Sequence, residues 1–202
     1  MPNWCENTVE LAHEDPAMIQ RAFDAFNRGE FLQEFIPVPP ELQIVAGRVG
    51  DDTDAAQIAL EATEKSNLEK FGYATWYDYC VNEWGTKWDV GADGCDPIQS
   101  DGCLTITFDS AWSPPVRAYE KLMDLGFSVR AYYYEPGMAF AGIWEDGIDA
   151  YYDIGGMSSD SVEEELPEDL DEMFGISVGM AEWEDEENID IDLDGGLSAT
   201  NE

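Results

Sequence analysis

Short stretches of alternating apolar and polar residues recur along the chain, a pattern typical of half-buried strands. In CLTITFDSAW, for example, Leu104, Ile106 and Phe108 share one face. Strands of this kind are predicted at 7–13, 103–112, 127–137, 138–147 and 148–154. The run FLQEFIPVPPEL (31–42) is interpreted as a further short extended stretch, which its prolines end.

Apolar residues at helical spacing, framed by capping residues, predict helices between these strands. One helix begins at Pro16, which Asp15 can cap, and stops at Gly29. Two helices are predicted over 54–72 and 75–85. Another is predicted over 113–126, with Ser113 as its cap and Gly126 at its end.

This order of elements predicts an α+β protein with a ferredoxin-like (split βαβ) antiparallel sheet and helices on one face. Residues 1–156 would form this domain, with a helical insertion at about 50–100. Residues 157–202 would form an acidic C-terminal segment with one short helix, at 166–176, and a mobile tail.

The charge of the chain is far from balanced. Lys and Arg number 9 against 45 Asp and Glu, a net charge of −36, and no basic residue follows Arg130. Affinity for nucleic acid comes largely from Lys and Arg that neutralise phosphates, so direct binding to nucleic acid or to an anionic membrane is disfavoured. Such a surface would attract basic proteins; the alternative is that the acidity only maintains solubility.

Catalytic and metal-binding patterns are sparse. His13 is the single histidine and has no nucleophile motif near it, so a Ser-His or Cys-His arrangement is not indicated. The four cysteines include no CxxC pair, and no phosphate-binding glycine loop opens a helix. We therefore expect no enzymatic activity, no metal and no cofactor. An N-terminus without signal features, and no apolar run near ~20 residues, predict a cytoplasmic protein.

Two tryptophan-containing motifs, EWGTKWD (83–89) and DSAWSPP (109–115), set aromatic rings beside charge. Lys87 is predicted to sit over an indole face, or to pair with Asp89 or Asp109. One interpretation is that the tryptophans pack between the insertion and the sheet. The other is a pocket for a planar or anionic ligand. Its predicted residues are Trp84, Lys87, Trp88, Asp89, Trp112 and Glu135.

Four motifs carry a resemblance to a known family: MPNWCENTVEL, WGTKWD, DSAWSPP and YEPGMAFAG. In this order, over roughly residues 1–175, the chain resembles the YubB-like phage and plasmid proteins, which have a ferredoxin-like domain. Ser110 stands where the family pattern favours Thr. The resemblance implies the fold and an origin on a mobile element, in a bacterial host cell. It implies no activity.

The function predicted from these features is that of an acidic accessory protein that binds a basic host protein, such as a nuclease or another nucleic-acid-binding protein. The acidic surface would mimic nucleic acid and counter host defence. Its predicted contact residues are Glu163, Glu164, Glu165, Glu168, Asp169, Asp171, Glu172, Glu184, Asp185, Glu186 and Glu187. The alternative is a small-ligand module built on the aromatic pocket. An enzymatic alternative would use Lys87, Asp89 and Glu135.

Overall fold

The structure is a computed structural model that describes residues 3–92, 94–100 and 102–195, with side chains as far as Glu186. Its strands form one antiparallel sheet in the order β2-β3-β1-β4-β5-β6. They are β1 (Trp4–Ala12), β2 (Ile98–Ser100), β3 (Cys103–Ala111), β4 (Ser128–Glu135), β5 (Phe140–Glu145) and β6 (Ile148–Asp153). The predicted α+β class with an antiparallel sheet is confirmed.

Helices occur between the strands and after the last one. They are α1 (Pro16–Asn27), α2 (Phe31–Phe35), α3 (Ala55–Phe71), α4 (Trp76–Glu83), α5 (Val116–Asp124), α6 (Ser159–Glu165), α7 (Glu168–Phe174) and α8 (Ile176–Gly195). Within the described part of the chain, no helix is both long enough and apolar enough to cross a membrane.

Local sequence signals set several of these boundaries. Asp15 caps α1 by accepting the Ala17 N–H, as predicted. Helix α3 ends at Gly72, which adopts a left-handed conformation with φ of 80°. Helix α4 begins with a capping box formed by Thr75 and Asp78.

One sheet face carries the main core. Alternate residues of the central strands, such as Val9, Ile106 and Val129, pack there beneath α1, α2, α4 and α5. Trp144 and Tyr119 are fully buried in the same core, with their rings 5.5 Å apart. The period-2 alternation therefore places the apolar side chains on this face.

The opposite face is covered over β4 to β6 by the C-terminal helices. Tyr132 and Ala141 pack there against Val162 and Leu170 in a second, smaller core. The prediction of helices on one face is therefore wrong. Alternation along β4 fills both faces, because Tyr133 belongs to the first core and Tyr132 to the second.

Three further predictions need correction. Residues 31–35 form α2 instead of an extended run, because the Asp89 carboxylate accepts the backbone N–H groups of Leu32 and Gln33. Ser113 does not cap α5; its hydroxyl donates to the Gly85 carbonyl. Between 157 and 195 there are three helices where one is predicted, and the end of the predicted mobile tail, 196–202, lies outside the described residues.

Candidate functional site

Hydrogen bonds join the two tryptophan motifs into one junction. The buried Thr86 hydroxyl donates to the Ala111 carbonyl at 3.2 Å and accepts the Ala111 N–H at 3.1 Å. Ser113 adds its bond to Gly85 at 3.0 Å. Gly85 has a φ of 86°, which favours glycine because a Cβ is strained there. The end of α4 is thereby fixed against the end of β3.

This junction presents Lys87 to three aromatic rings. The ammonium lies 4.4 Å from the ring centre of Trp88, 5.6 Å from that of Tyr77 and 5.7 Å from that of Trp112. We call these four residues the aromatic–lysine cluster. The predicted contact between Lys87 and an indole face is confirmed, and each such contact is worth about 0.5–2 kcal/mol.

The three tryptophans of the motifs have different environments. Trp84 is only 4% exposed and donates its indole N–H to the Ile36 carbonyl at 2.9 Å, so it is part of the core. Trp88 and Trp112 are 39% and 42% exposed. Trp112 has a φ of 69°, a backbone conformation that is rare for a bulky residue and is held in place by its N–H bond to the Asn3 carbonyl.

Asp89 stabilises the backbone of another element. Its carboxylate accepts N–H groups from Leu32, Gln33 and Val90 at 2.6, 3.0 and 2.8 Å. Burial raises the pKa of Asp89, and these three N–H donors partly offset that rise. The carboxylate is thus directed at the start of α2, whereas the Lys87 ammonium contacts aromatic rings.

Glu135 likewise binds its own chain. Its buried carboxylate accepts the N–H groups of Gly137 and Met138, which closes the turn between β4 and β5. A Cβ at Gly137 would lie 2.6 Å from the Asn3 amide nitrogen, so a larger residue there would require the Asn3 side chain to move. The carboxylates of Asp89 and Glu135 accept backbone N–H groups, and the Lys87 ammonium contacts aromatic rings. None of the contacts found among the described residues joins these three side chains, and the enzymatic alternative stays a prediction.

Trp4 joins the exposed aromatic surface, although the sequence predicted no role for it in a pocket. It is 46% exposed, and its ring centre lies 5.8 Å from that of Trp88. Strand alternation could have located it, because Trp4 begins β1 on the face opposite the buried Cys5. Its proximity to Trp88 depends on the fold.

Next to Trp4, no helix of the described residues packs over the outer face of β1 and β3. A cleft of about 670 Å³ lies there, between Trp4 and the end of α7 at Met173 and Phe174. Glu6 and Asp109 lie in it, directly opposite each other in the β1–β3 pairing. We call this region the acidic cleft.

Two of the carboxylates that line the acidic cleft, those of Glu6 and Asp109, affect each other. Partial burial raises the pKa of Glu6, and the neighbouring Asp109 charge raises it further. Like charges directly opposite on paired strands are destabilising. The cleft therefore concentrates negative charge beside an exposed indole.

Most of the acids predicted to bind a partner are exposed on the C-terminal helices. These are Glu163, Glu164, Glu165, Glu168, Glu172, Asp185 and Glu186, none of which forms an ion pair within the described residues. The side chain of Glu187 lies outside the described residues.

Three of the predicted acids instead make contacts inside the protein. Asp169 pairs with Arg130 at 2.9 Å and accepts the Tyr132 hydroxyl. Asp171 accepts the N–H and hydroxyl of Ser177 at the start of α8. Glu184 accepts the N–H and hydroxyl of Ser159 at the start of α6, and these hydrogen bonds lower the pKa of Glu184. These bonds hold the helices to one another and to the sheet.

The sequence matches no protein-family model and no curated protein. Among solved structures, a crystal structure of protein api92 from Yersinia pseudotuberculosis, with the family model DUF1281, is similar at 13% identity. The match covers 77% of this chain and 99% of that one, with a TM-score of 0.37. Membership in the YubB-like family stays a prediction.

Proposed function

We propose that this protein is an acidic interaction protein that binds a basic, nucleic-acid-binding partner through carboxylates on α6, α7 and α8. The observation that carries the proposal is the set of exposed carboxylates on these helices, which lie in a part of the sequence with no Lys or Arg. Elsewhere, Arg21, Arg28 and Lys70 pair with acids close to them, which reduces the local field.

A rigid arrangement of carboxylates can mimic the phosphates of nucleic acid better than a flexible tail can. The bonds of Asp169, Asp171 and Glu184 order the three helices, so the backbone positions of their exposed acids are fixed and binding costs less ordering entropy than a flexible tail would. The long-range field of the whole chain would accelerate encounter with a basic groove. Together with the resemblance to phage and plasmid proteins, this supports a cytoplasmic factor that counters a host defence protein.

The fold within this proposal is ferredoxin-like. The strand order supports this assignment, because β1 lies between β3 and β4 and the short β2 lies beside β3. Helices α1 and α5 would be the two helices of a split βαβ plan. Strands β5 and β6 would extend that sheet, with α3 and α4 inserted between α1 and β2.

A capture experiment tests the proposal. The immobilised protein should retain basic nucleic-acid-binding proteins from a bacterial lysate at low salt, and added duplex DNA should compete with them. A triple variant, Glu163→Gln, Glu164→Gln and Glu165→Gln, should retain far less. Its matched control neutralises three exposed acids elsewhere: Glu14→Gln, Glu69→Gln and Asp96→Asn.

Equal loss in the two triple variants would show that only net charge matters. That result, or the absence of any DNA-competed protein, contradicts binding through the C-terminal helices.

A second candidate function, a small-ligand module, is favoured by the aromatic–lysine cluster. Exposed rings around an ammonium present stacking faces and a positive charge, which suit a planar anion such as a nucleotide. A nucleotide would then raise the melting temperature of the wild type but not of Lys87→Ala or Trp112→Ala. If both variants unfold before any ligand is added, the cluster is structural.

A further inference from the structure

The sheet ends on one side at β6, a six-residue strand whose only strand neighbour among the described residues is β5. At the opposite side it ends at β2, which has three residues. An edge strand carries a row of backbone N–H and C=O groups on its outer side, and these can pair with a further strand. The outer side of β6, which we call the β6 edge, is therefore a surface where an extended chain can add to the sheet.

The turn before β6 sets the hydrogen-bonding register of this strand. Asp146 and Gly147 have φ of 43° and 93°, as in the two-residue turns that match the twist of a hairpin. Glu145 and Ile148 are paired across this turn. In a hairpin with a two-residue turn, that first pair is hydrogen-bonded, and hydrogen-bonded pairs then recur at every second residue.

This register decides which backbone groups of β6 point outward. Ala150 and Tyr152 follow Ile148 at every second position, so their N–H and C=O groups bond to β5. The corresponding groups of Asp149, Tyr151 and Asp153 point away from β5. All three of these residues are exposed. The β6 edge thus presents three successive pairs of backbone donors and acceptors to an incoming strand.

The side chains of the outward-bonding residues lie beside a groove. The Tyr151 ring is 56% exposed, and its centre lies 5.5 Å from that of Phe140, which packs against the first core. Asp149 accepts the hydroxyl of Tyr133 at 2.7 Å on the same face. A groove of about 340 Å³ lies there between β5, β6 and the start of α5, with exposed Val81 at its wall. An apolar side chain entering from the edge would contact these rings.

We propose that the β6 edge binds an extended segment of the basic partner as an additional antiparallel strand. Side chains directly opposite each other on paired strands lie on the same face. Two basic residues of that segment would face Asp149 and Asp153, and the apolar residue midway between them would contact Tyr151 and the groove. The inference rests on the proposed function for the nature of the partner, whereas that function gives β6 no role.

Charge favours a basic strand over a second copy of this chain. If two copies paired through β6 about Tyr151, Asp149 of each copy would lie opposite Asp153 of the other. Like charges directly opposite are destabilising, and each chain carries a net charge of −36. Arg117, which also lines the groove, pairs with Glu120 at 3.1 Å. The two aspartates therefore oppose self-pairing and attract lysine or arginine at matching positions.

Fluorescence anisotropy with a labelled seven-residue peptide tests the proposal. In this peptide, threonines flank and separate two lysines and a central isoleucine. Methylating the two lysine backbone nitrogens removes N–H groups that would bond to β6, and should weaken binding about tenfold. Its matched control carries methyl groups on the nitrogens of the two inner threonines, which point away from β6. The control should bind nearly as well as the unmodified peptide.

Two pairs of protein variants examine the same contact. Tyr151→Pro and Tyr151→Ala both lack the ring, but only the proline also lacks an outward N–H, and it leaves the ladder with β5 intact. The proline variant should therefore bind the peptide several-fold more weakly than the alanine variant. Asp149→Asn/Asp153→Asn should lose more affinity than Glu163→Gln/Glu164→Gln, which removes two charges from exposed sites on α6.

Amide hydrogen exchange reports on the wild-type edge directly. In the free protein, the N–H groups of Tyr151 and Asp153 should exchange fast, and those of Ala150 and Tyr152 slowly, because only the second pair bonds to β5. The peptide should slow the exchange of Tyr151 and Asp153. Unchanged exchange in the peptide complex would contradict strand addition.

The outcomes separate this inference from the proposed function. If the two methylated peptides bind equally, strand addition is wrong, while capture through the α6 carboxylates still supports the proposed function. If that capture fails but the peptide results hold, the proposed function is wrong and strand addition stands. A dimer in sedimentation equilibrium that Tyr151→Pro dissociates would make a second copy the occupant and overturn the inference. Should Tyr151→Pro melt far below the wild type, the methylated peptides still decide.

Discussion

The two faces of the sheet differ in how completely they are covered. On one face, α1, α2, α4 and α5 bury an apolar core in which Trp144 is 1% exposed. On the other, α6 and α7 cover β4 and β5, while β1 and β3 present Glu6 and Asp109 to the acidic cleft. The first face carries the larger of the two cores, and on the second face part of β1 and β3 remains exposed among the described residues.

The largest expected effect on stability comes from a substitution on the covered face. Trp144→Ala should lower the free energy of unfolding by about 3–5 kcal/mol, because it removes a fully buried indole and leaves a cavity. Trp4→Ala, on the open face, should cost about 1 kcal/mol or less. Urea denaturation followed by far-UV circular dichroism compares the two, and similar losses would contradict the contrast between the faces.

The next effect tests whether Asp89 is a structural group. Asp89→Ala leaves three backbone N–H groups without their acceptor, and should cost about 2 kcal/mol. Asp96→Ala, at an exposed acid in the same loop region, should change stability by less than about 0.5 kcal/mol. If the two variants are equally stable in urea, the carboxylate does not hold α2 in place.

A smaller effect concerns the open face. Glu6→Gln should raise the free energy of unfolding at neutral pH by about 0.2–1 kcal/mol, because it removes the desolvation cost of a partly buried charge and, to a smaller extent, its repulsion with Asp109. Thermal melts at low salt should show the gain, which should shrink as salt screens the charges. A loss of stability would mean that the Glu6 charge is stabilised by contacts stronger than this repulsion.

The smallest effect is on the pKa values of two glutamates, which should depart from the ordinary value in opposite directions. Glu6 has a raised pKa, so its unfavourable contribution appears as pH rises from the unfolded-state value through the folded-state value. Glu184 has a lowered pKa because Ser159 donates to it, so its favourable contribution is lost as pH falls through the folded-state value. Side-chain ¹³C spectra across the acidic range measure both, and Ser159→Ala should raise the pKa of Glu184 alone.

Much of the secondary structure could be predicted because its signals are local. Alternation in β3 and the Asp15 cap of α1 depend on neighbours within a few residues, and both are confirmed. The prediction of an extended run at 31–35 is wrong because its signal is not local. Its helix depends on Asp89, which lies far along the chain and caps it only in the folded state.

The site was less predictable than the fold. The sequence identified Lys87, Trp88 and Trp112 as a group, and these do meet. It could not separate Trp84, which is buried, from its neighbours, because exposure depends on what packs against each ring. It also missed Trp4, Glu6 and Asp109 as a cleft, since that depends on strand pairing across about a hundred residues.

By itself the sequence determined the α+β class, the capped start of α1 and the charge of −36, because composition, period and caps are properties of short segments. Only the tertiary structure decided which carboxylates serve as caps and which face solvent. The carboxylates of Asp89 and Glu135 accept hydrogen bonds from backbone N–H groups, whereas Glu6 lies opposite Asp109 beside an exposed indole. Burial and pairing are set by contacts between distant segments, so identical side chains acquire different chemistry.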